Sequence, residues 1–318
     1  ENDKYILLQW NKDIVSHIRK LLSEYTFIIT FNGSGFDLLF LEKYGISTKY
    51  FRHIDLLEVF RKRAPVLFKN NPRSFSLKNL IRELNLDIEG KGDIDYKILQ
   101  KNEFSIEEIK EIYKYLQKDL LLEYKLWKFL LGRFEPFKEF VSRENQLNYK
   151  YLKSSMGAYS YSVICNYLKV SEDYGEEKWN EPYIGAYCMT PVKESVKGGI
   201  MYVDASSLYP MIYVHANLFS SDCKCCTQEE KWHGNEMFKV EGYYCKKKQG
   251  QIEEMIKMMF LKRKEMKKNK DDRQQVFKTI LNTLYGISSK KCFKRLYHPN
   301  LASDCTSIGR DIITYAIK

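Results

Sequence analysis

The sequence predicts an α/β layer followed by a mixed α+β unit, on three observations. From Tyr5 to about Trp127, strand-like and helix-like segments alternate, which is the pattern of a layered α/β domain. Gly132 and Pro136 then interrupt a long helical stretch and mark a boundary. Beyond it a strand-sized apolar run, Ile200–Val203, precedes two helical segments, Gln251–Lys270 and Arg273–Tyr285, joined by Asn269-Lys270-Asp271-Asp272.

Taken in order, Thr26–Phe31 is a short β-branched and aromatic run ending at Asn32-Gly33-Ser34-Gly35, with helical Phe36–Tyr44 behind it. Ile106 to Leu131 is strongly helical, with apolar Ile109, Ile112, Leu116, Leu120, Leu121 and Trp127. A helix is expected around 141–168, then a polar loop near 171–181. Thr306 to Lys318 reads as an amphipathic helix without a stop signal. That ending, and an opening at Glu1-Asn2-Asp3 rather than methionine, lead us to expect an interior piece of a longer intracellular protein.

Composition narrows the function classes. The 318 residues carry 52 Lys plus Arg against 41 Asp plus Glu, a formal charge of +11, with 44% hydrophobic residues. Such a length calls for two or three domains, and the apolar fraction excludes intrinsic disorder. No apolar run reaches the roughly 18 residues of a membrane span. The positive charge points to a polyanionic partner, most sharply at Leu261–Lys270, although a solvated helix face has the same composition. The eight cysteines read by default as free thiols in a reducing compartment. Cys223 and Cys226 have CxxC spacing with His233 and Cys245 following, so a small zinc knuckle is the alternative.

Two motifs carry chemistry. In Gly198-Gly199-Ile200-Met201-Tyr202-Val203-Asp204-Ala205-Ser206-Ser207-Leu208-Tyr209-Pro210, an apolar strand delivers a carboxylate directly before a tight turn. Such a carboxylate can hold Mg²⁺, and the N–H groups behind it can meet phosphate oxygens, although a strand-ending Asp can also simply cap a turn. In Lys278-Thr279-Ile280-Leu281-Asn282-Thr283-Leu284-Tyr285-Gly286, positions 278, 282 and 285 share one helical face, while Val276, Phe277, Ile280 and Leu284 can face a core. Arg263 and Lys267 are i, i+4 neighbours on the preceding helix. The hairpin can therefore aim three cations, an amide and an aromatic ring at one place, a set suited to a triphosphate and a base pair.

These residues resemble family B DNA polymerases. Asp204 to Pro210 is similar to the first palm motif, D-x-x-S-L-Y-P, and Lys278 to Gly286 to the fingers motif, K-x-x-x-N-x-x-Y-G. Arg263-Lys264-Glu265-Met266-Lys267 resembles the R-K-E-x-K stretch, and Tyr297–Ala302 with Ile308-Gly309-Arg310 the region that follows. Upstream, Asn32-Gly33-Ser34-Gly35-Phe36-Asp37 and Tyr115-Leu116-Gln117-Lys118-Asp119 resemble the second and third motifs of the family's proofreading exonuclease. Ser76-Leu77-Lys78-Asn79-Leu80 looks like its single-strand-binding element, Lys91-Gly92-Asp93-Ile94 like a K-x-x-hydrophobic element of protein-primed members, and Tyr183-Ile184-Gly185-Ala186 like the Y-x-G-G/A loop. The likeness runs from about residue 26 to 315.

The resemblance implies an RNase H-like 3′→5′ exonuclease domain followed by an incomplete antiparallel palm with an α-helical fingers hairpin. The implied domains are an exonuclease over 1–132, a connector over 133–195, palm over 196–250, fingers over 251–290 and returning palm over 291–318. It implies two Mg²⁺ ions per site, with Mn²⁺ as a substitute, held by Asp204 and the Ala205 carbonyl in the palm and by Asp37 and Asp119 in the exonuclease. Ser207, Leu208, Arg263, Lys267 and Lys278 would bind the dNTP triphosphate, with Lys278 able to protonate pyrophosphate. Tyr209 would exclude a 2′-OH, and Asn282, Tyr285 and Gly286 would shape the base-pair pocket. Tyr115 would orient water, and Asn32, Phe36, Ser76, Leu77, Lys91, Tyr183, Gly185 and Ala186 would hold DNA primer-template. A terminal protein primer or accessory replication factors are the further partners: Lys91–Ile94 leans towards protein priming, while the 59 residues from Asp204 to Arg263 leave little room for the insertion such enzymes carry, so both kinds of priming stay open; a membrane is not implied. The family's D-x-D palm motif is expected beyond Lys318 and its D-x-E exonuclease motif upstream of Glu1. A non-catalytic DNA-binding remnant and one half of a split polymerase remain alternative readings.

Overall fold

A computed structural model describes residues 6, 13–25, 27–49, 51–68, 70–86, 94–95, 97–101, 103–140, 152, 154–176, 182–190, 198–199 and 204–317. The expected strand Ile200–Val203, Lys91 and most of 141–153 lie outside the described residues. The chain divides into two compact units, Glu1–Pro136 with Leu147–Lys153, and Phe137–Gln146 with Ser154–Lys318.

In the first unit, helix α1 (Ile14–Ser23) precedes strand β1 (Phe27–Thr30), helix α2 (Asp37–Lys43), strand β2 (Arg52–Asp55), and helices α3 (Leu56–Leu67), α4 (Leu77–Glu83) and α5 (Ile106–Phe134). β1 and β2 pair in parallel, with Thr30 opposite Asp55, and α2 lies in the connection between them, as a parallel pair requires. A capping box starts α5: the Glu108 N–H donates to Ser105 Oγ at 3.2 Å, and the Ser105 N–H donates to the Glu108 carboxylate at 2.9 Å. The face of α5 that packs is Leu122, Leu126 and Leu130, at i, i+4 and i+8, against Leu56, Val59 and Phe60 of α3 and Leu77, Leu80 and Ile81 of α4. Leu116, Leu120 and Leu121, part of the apolar pattern in the sequence, are exposed instead.

The second unit contains α6 (Met156–Tyr167), α7 (Leu208–Ala216), α8 (Gln251–Lys268), α9 (Gln274–Ser288) and α10 (Leu301–Ile317). α9 is its hub, packing on α6, α7, α8 and α10. Val276, Phe277, Ile280 and Leu284 are fully buried, as their spacing predicts, and Phe137 stacks on Phe277 with ring centroids 4.2 Å apart. Among the described residues, antiparallel pairing in this unit is confined to two isolated bridges, Tyr174 with Phe293 and Trp232 with Tyr244. The expected antiparallel palm sheet is therefore not seen in them. The helical hairpin is: α8 and α9 are joined by a turn through Asn269–Arg273. No helix among the described residues is long and apolar enough to cross a membrane.

Candidate functional site

In the first unit, the loop after β1 is built around Asp55. This carboxylate, 1% exposed, accepts from the N–H groups of Asn32 at 2.9 Å, Ser34 at 3.0 Å and Leu57 at 3.0 Å. Burial raises the pKa of such a group, but here these donors outweigh it and hold Asp55 below the ordinary carboxylate range. The turn needs Asn32 at φ 65°, a conformation Asn tolerates better than most residues. Gly33 follows because a Cβ there would lie 2.1 Å from Thr30 Oγ1, to which its own N–H donates at 3.1 Å. Phe36 and Asp37 then stand at the surface where α2 begins.

On α5, Tyr115, Asp119 and Glu123 succeed one another at i, i+4 and i+8 and are all half-buried. Glu123 is pushed up to about 7 by burial first, then by the charges of Asp37, Asp119 and Asp55. Asp37, although the residue lies at the surface, is raised too, first by partial desolvation of its carboxylate and further by the Asp55 charge, against the lowering effect of its own N–H. Asp37 and Asp119, the two exonuclease carboxylates named from the sequence, thus share one electrostatic neighbourhood with two that were not, Asp55 and Glu123. The spacing carried a signal for Glu123, which lies one turn beyond Asp119. Ser76 caps α4, its hydroxyl accepting from the Asn79 N–H at 3.3 Å, while Leu77 is buried in the core. Ser76 is the member of that pair open to solvent.

In the second unit, Asp204 and Ala205 are exposed in the turn before α7. Ser207 sits at φ 57°, ψ 50° and does not cap the helix with its side chain. A non-glycine residue in the left-handed region costs roughly 1 kcal/mol, so another contact must hold it. That contact is Arg263 of α8, whose Nη1 donates to Ser207 Oγ at 2.7 Å while its Nε donates to Gln274 Oε1 of α9 at 3.2 Å. Arg263 therefore ties the turn to both helices of the hairpin, and Gln274 is a positioning residue the sequence gave no sign of. Leu208 and Tyr209 begin α7, and the Tyr209 ring packs on Tyr285 of α9 at 5.0 Å.

Tyr285 Oη also shares a 2.6 Å hydrogen bond with Tyr183 Oη. The segment carrying Tyr183, Gly185 and Ala186 is exposed and has no regular secondary structure. Arg310 of α10 pins it, Nη1 donating to the Ile184 carbonyl at 2.8 Å and the Gly185 carbonyl at 2.7 Å. Lys267, Lys278 and Asn282 are exposed, and a Cβ at Gly286 would meet nothing within 4 Å. Among the described residues no hydrogen bond or ion pair joins Asp204 to Lys267 or Lys278. The predicted residues thus form one contact group around Arg263–Ser207, one around Tyr183–Tyr209–Tyr285, and a set of exposed cations beside them.

The sequence matches the model of DNA polymerase family B over residues 160–318 and that of the RNase H superfamily over residues 7–100. It is similar to a DNA polymerase of Fowlpox virus (strain NVSL), at 24% identity over 274 residues, covering 71% of this chain and 27% of that protein. Among solved structures, the family B DNA polymerase from the hyperthermophilic archaeon Pyrobaculum calidifontis shares the fold, with a TM-score of 0.57 at 18% identity, over 96% of this chain and 44% of that one. The chain spans about a quarter of the viral relative's length.

Proposed function

The chain belongs to DNA polymerase family B, and on that premise we propose that it is the central part of a template-directed DNA polymerase with 3′→5′ proofreading. The observation that carries the synthetic half is the Arg263–Ser207 hydrogen bond, which draws the cationic hairpin onto the turn directly after Asp204.

In this reading the triphosphate takes over the Arg263 guanidinium from Ser207, with Lys267 and Lys278 completing the phosphate cradle and Lys278 protonating the leaving pyrophosphate. The Ser207 and Leu208 N–H groups, at the start of α7, face phosphate oxygens. Tyr209, braced by Tyr285, excludes a ribose 2′-OH, and Asn282, Tyr285 and Gly286 line the nascent pair. The Asp204 carboxylate and Ala205 carbonyl are hard oxygen donors that suit Mg²⁺ or Mn²⁺, completed by the D-x-D carboxylates the resemblance places beyond Lys318. Two such ions, when bound, lower the pKa of the attacking hydroxyl and neutralise the leaving group.

In the RNase H-like unit, Asp37 and Asp119 would hold the metals. Burial raises Glu123 first and the charges of Asp37, Asp119 and Asp55 add to it; that excess of negative charge is what a hard dication relieves. Tyr115 orients the hydrolytic water, and Asn32, Phe36, Ser76, Leu77 and Lys91 hold the frayed 3′ end or support the surface that does. The pinned Tyr183–Ala186 segment guides the primer strand. The Lys91 element leans towards a terminal protein primer, and the short Asp204–Arg263 separation towards a nucleic-acid primer.

Primer extension by the intact polymerase tests this. Asp204→Asn should cut incorporation on the order of 10³-fold or more while leaving DNA affinity within about twofold. Retained synthesis refutes the assignment. Absence of synthesis in the unmutated intact protein, with salt-sensitive DNA binding preserved, would favour the non-catalytic remnant; activity restored by a second chain would identify a split enzyme.

A further inference from the structure

The segment between α7 and α8 is short of the apolar burial that holds the rest of the unit together. Over residues 221–250 only Gly242, Tyr244 and Cys245 are buried, and regular structure is limited to the Trp232–Tyr244 bridge. A stretch of this length with so little core needs another staple. The staple is visible in four side chains: the sulfurs of Cys223, Cys225, Cys226 and Cys245 all lie within 4.8 Å of one another.

We propose that Cys223, Cys225, Cys226 and Cys245 hold a single tetrahedral zinc ion that fixes this segment between the helix bearing Tyr209 and the helix bearing Arg263. Four thiolates about 2.3 Å from one Zn²⁺ stand roughly 3.8 Å apart. The Cys223–Cys226, Cys225–Cys245 and Cys226–Cys245 sulfurs are already 2.9, 3.3 and 3.8 Å apart, so small outward movements complete the geometry. Two disulfides, Cys223–Cys226 and Cys225–Cys245, would also use all four sulfurs, but they need each pair at about 2.05 Å and give the two pairs no reason to converge on each other, as the 3.8 Å Cys226–Cys245 approach shows they do. A cluster of several irons needs thiolates spread more widely than these, so the spacing favours one ion.

The surroundings support the ligands. The Lys248 N–H donates to Cys245 Sγ at 3.4 Å, the outer-shell contact expected of a thiolate ligand. The Cys245 N–H donates to Ser220 Oγ at 2.9 Å. Asn217, at φ 53° where α7 ends, donates through Nδ2 to the carbonyls of Cys245 at 2.9 Å and Lys248 at 2.8 Å, and its Oδ1 accepts from the Gly250 N–H at 3.0 Å. Cys245 is thereby bolted in place, and the more exposed Cys223, Cys225 and Cys226 close over it. Lys224, Lys246 and Lys248 flank the ligands in sequence and offset the two negative charges of a Zn(Cys)₄ centre. His233, the ligand the spacing had suggested, is elsewhere: its Nδ1 bonds the Gly242 carbonyl at 2.9 Å and its ring stacks on Tyr243 at 4.0 Å. Cys225 takes its place. The proposal is independent of the polymerase reading, since it rests on none of that site's residues.

The test is metal analysis of the full chain purified under reducing conditions without added metal. One zinc per chain surviving gel filtration is expected, with the double variant Cys223→Ser/Cys226→Ser falling to background and His233→Ala retaining all of it. Cobalt(II) exchanged into the wild-type chain should give thiolate charge-transfer bands and the intense visible bands of tetrahedral coordination, which needs no variant to fold. A chain that comes through that purification without zinc and with all four thiols fully reactive toward a disulfide reagent would overturn the proposal. So would iron with acid-labile sulfide, or loss of zinc in His233→Ala.

Discussion

Asp55 and Ser207 occupy comparable places, each directly ahead of a helix, and the chain treats them in opposite ways. Asp55 has extended backbone, caps α3 by accepting from Leu57, and organises the Asn32–Ser34 loop from the adjacent strand. Ser207 is left-handed, gives α7 no side-chain cap, and commits its hydroxyl to an arginine 56 residues away. The first arrangement is complete within its own unit. The second is strained locally and held by one long-range donor, so a competing anion at Arg263 can reset it. Metal chemistry wants the former rigidity, and a site that must close on each incoming substrate wants the latter.

Removing Asp55 should break the comparison most severely. Asp55→Ala leaves three partly or fully buried N–H donors without their charged acceptor and should cost about 4 kcal/mol, read by denaturant unfolding of the first unit. A loss under about 1 kcal/mol would show that the loop does not depend on it.

Glu253 sharpens the contrast from the second unit. It is fully buried at the start of α8, its Oε1 accepting from the Phe219 N–H at 2.6 Å, and burial raises its carboxyl to about 7, against the lowering effect of that N–H and its own. The folded chain therefore keeps a proton that the unfolded chain releases near 4.5, so this group's stabilisation is present below that value and lost as pH rises through 7. Glu253→Gln should remove that slope, gaining up to about 2–3 kcal/mol at pH 8 and little at pH 4.5. An unchanged pH dependence of unfolding would reject the assignment.

Arg263→Ala should raise the dNTP KM of the intact enzyme roughly 30-fold, about 2 kcal/mol, whereas Ser207→Ala should change it only a few-fold. Equal effects would mean that the pair acts as a structural unit rather than a contact the substrate displaces.

Much of this was legible in the sequence because short motifs concentrate the chemistry: position and spacing singled out Asp204, Arg263 and Tyr285, the family resemblance added Ser207 and Tyr209, and the Arg263–Ser207 and Tyr209–Tyr285 contacts join residues so named. The helix α5 was legible but its packing face was not: Leu116, Leu120 and Leu121 belong to the apolar pattern and are exposed while Leu122, Leu126 and Leu130 do the packing, and two apolar stripes on one long helix cannot be ranked without knowing what lies opposite. Gln274 acts through the Arg263 side chain of the neighbouring helix and Arg310 through two loop carbonyls, contacts that leave no periodic trace. The same holds for Cys225, whose direction depends on turn geometry rather than on the CxxC pair that drew notice.

Gly286 offers a ruler for what binds. Because a Cβ there touches no other part of the chain, alanine should strengthen α9 by roughly 0.5–1 kcal/mol and disturb nothing inside the protein. Any drop in synthesis by a Gly286→Ala enzyme of higher thermal stability would then measure the room a foreign molecule demands, a methyl group's breadth from the helix.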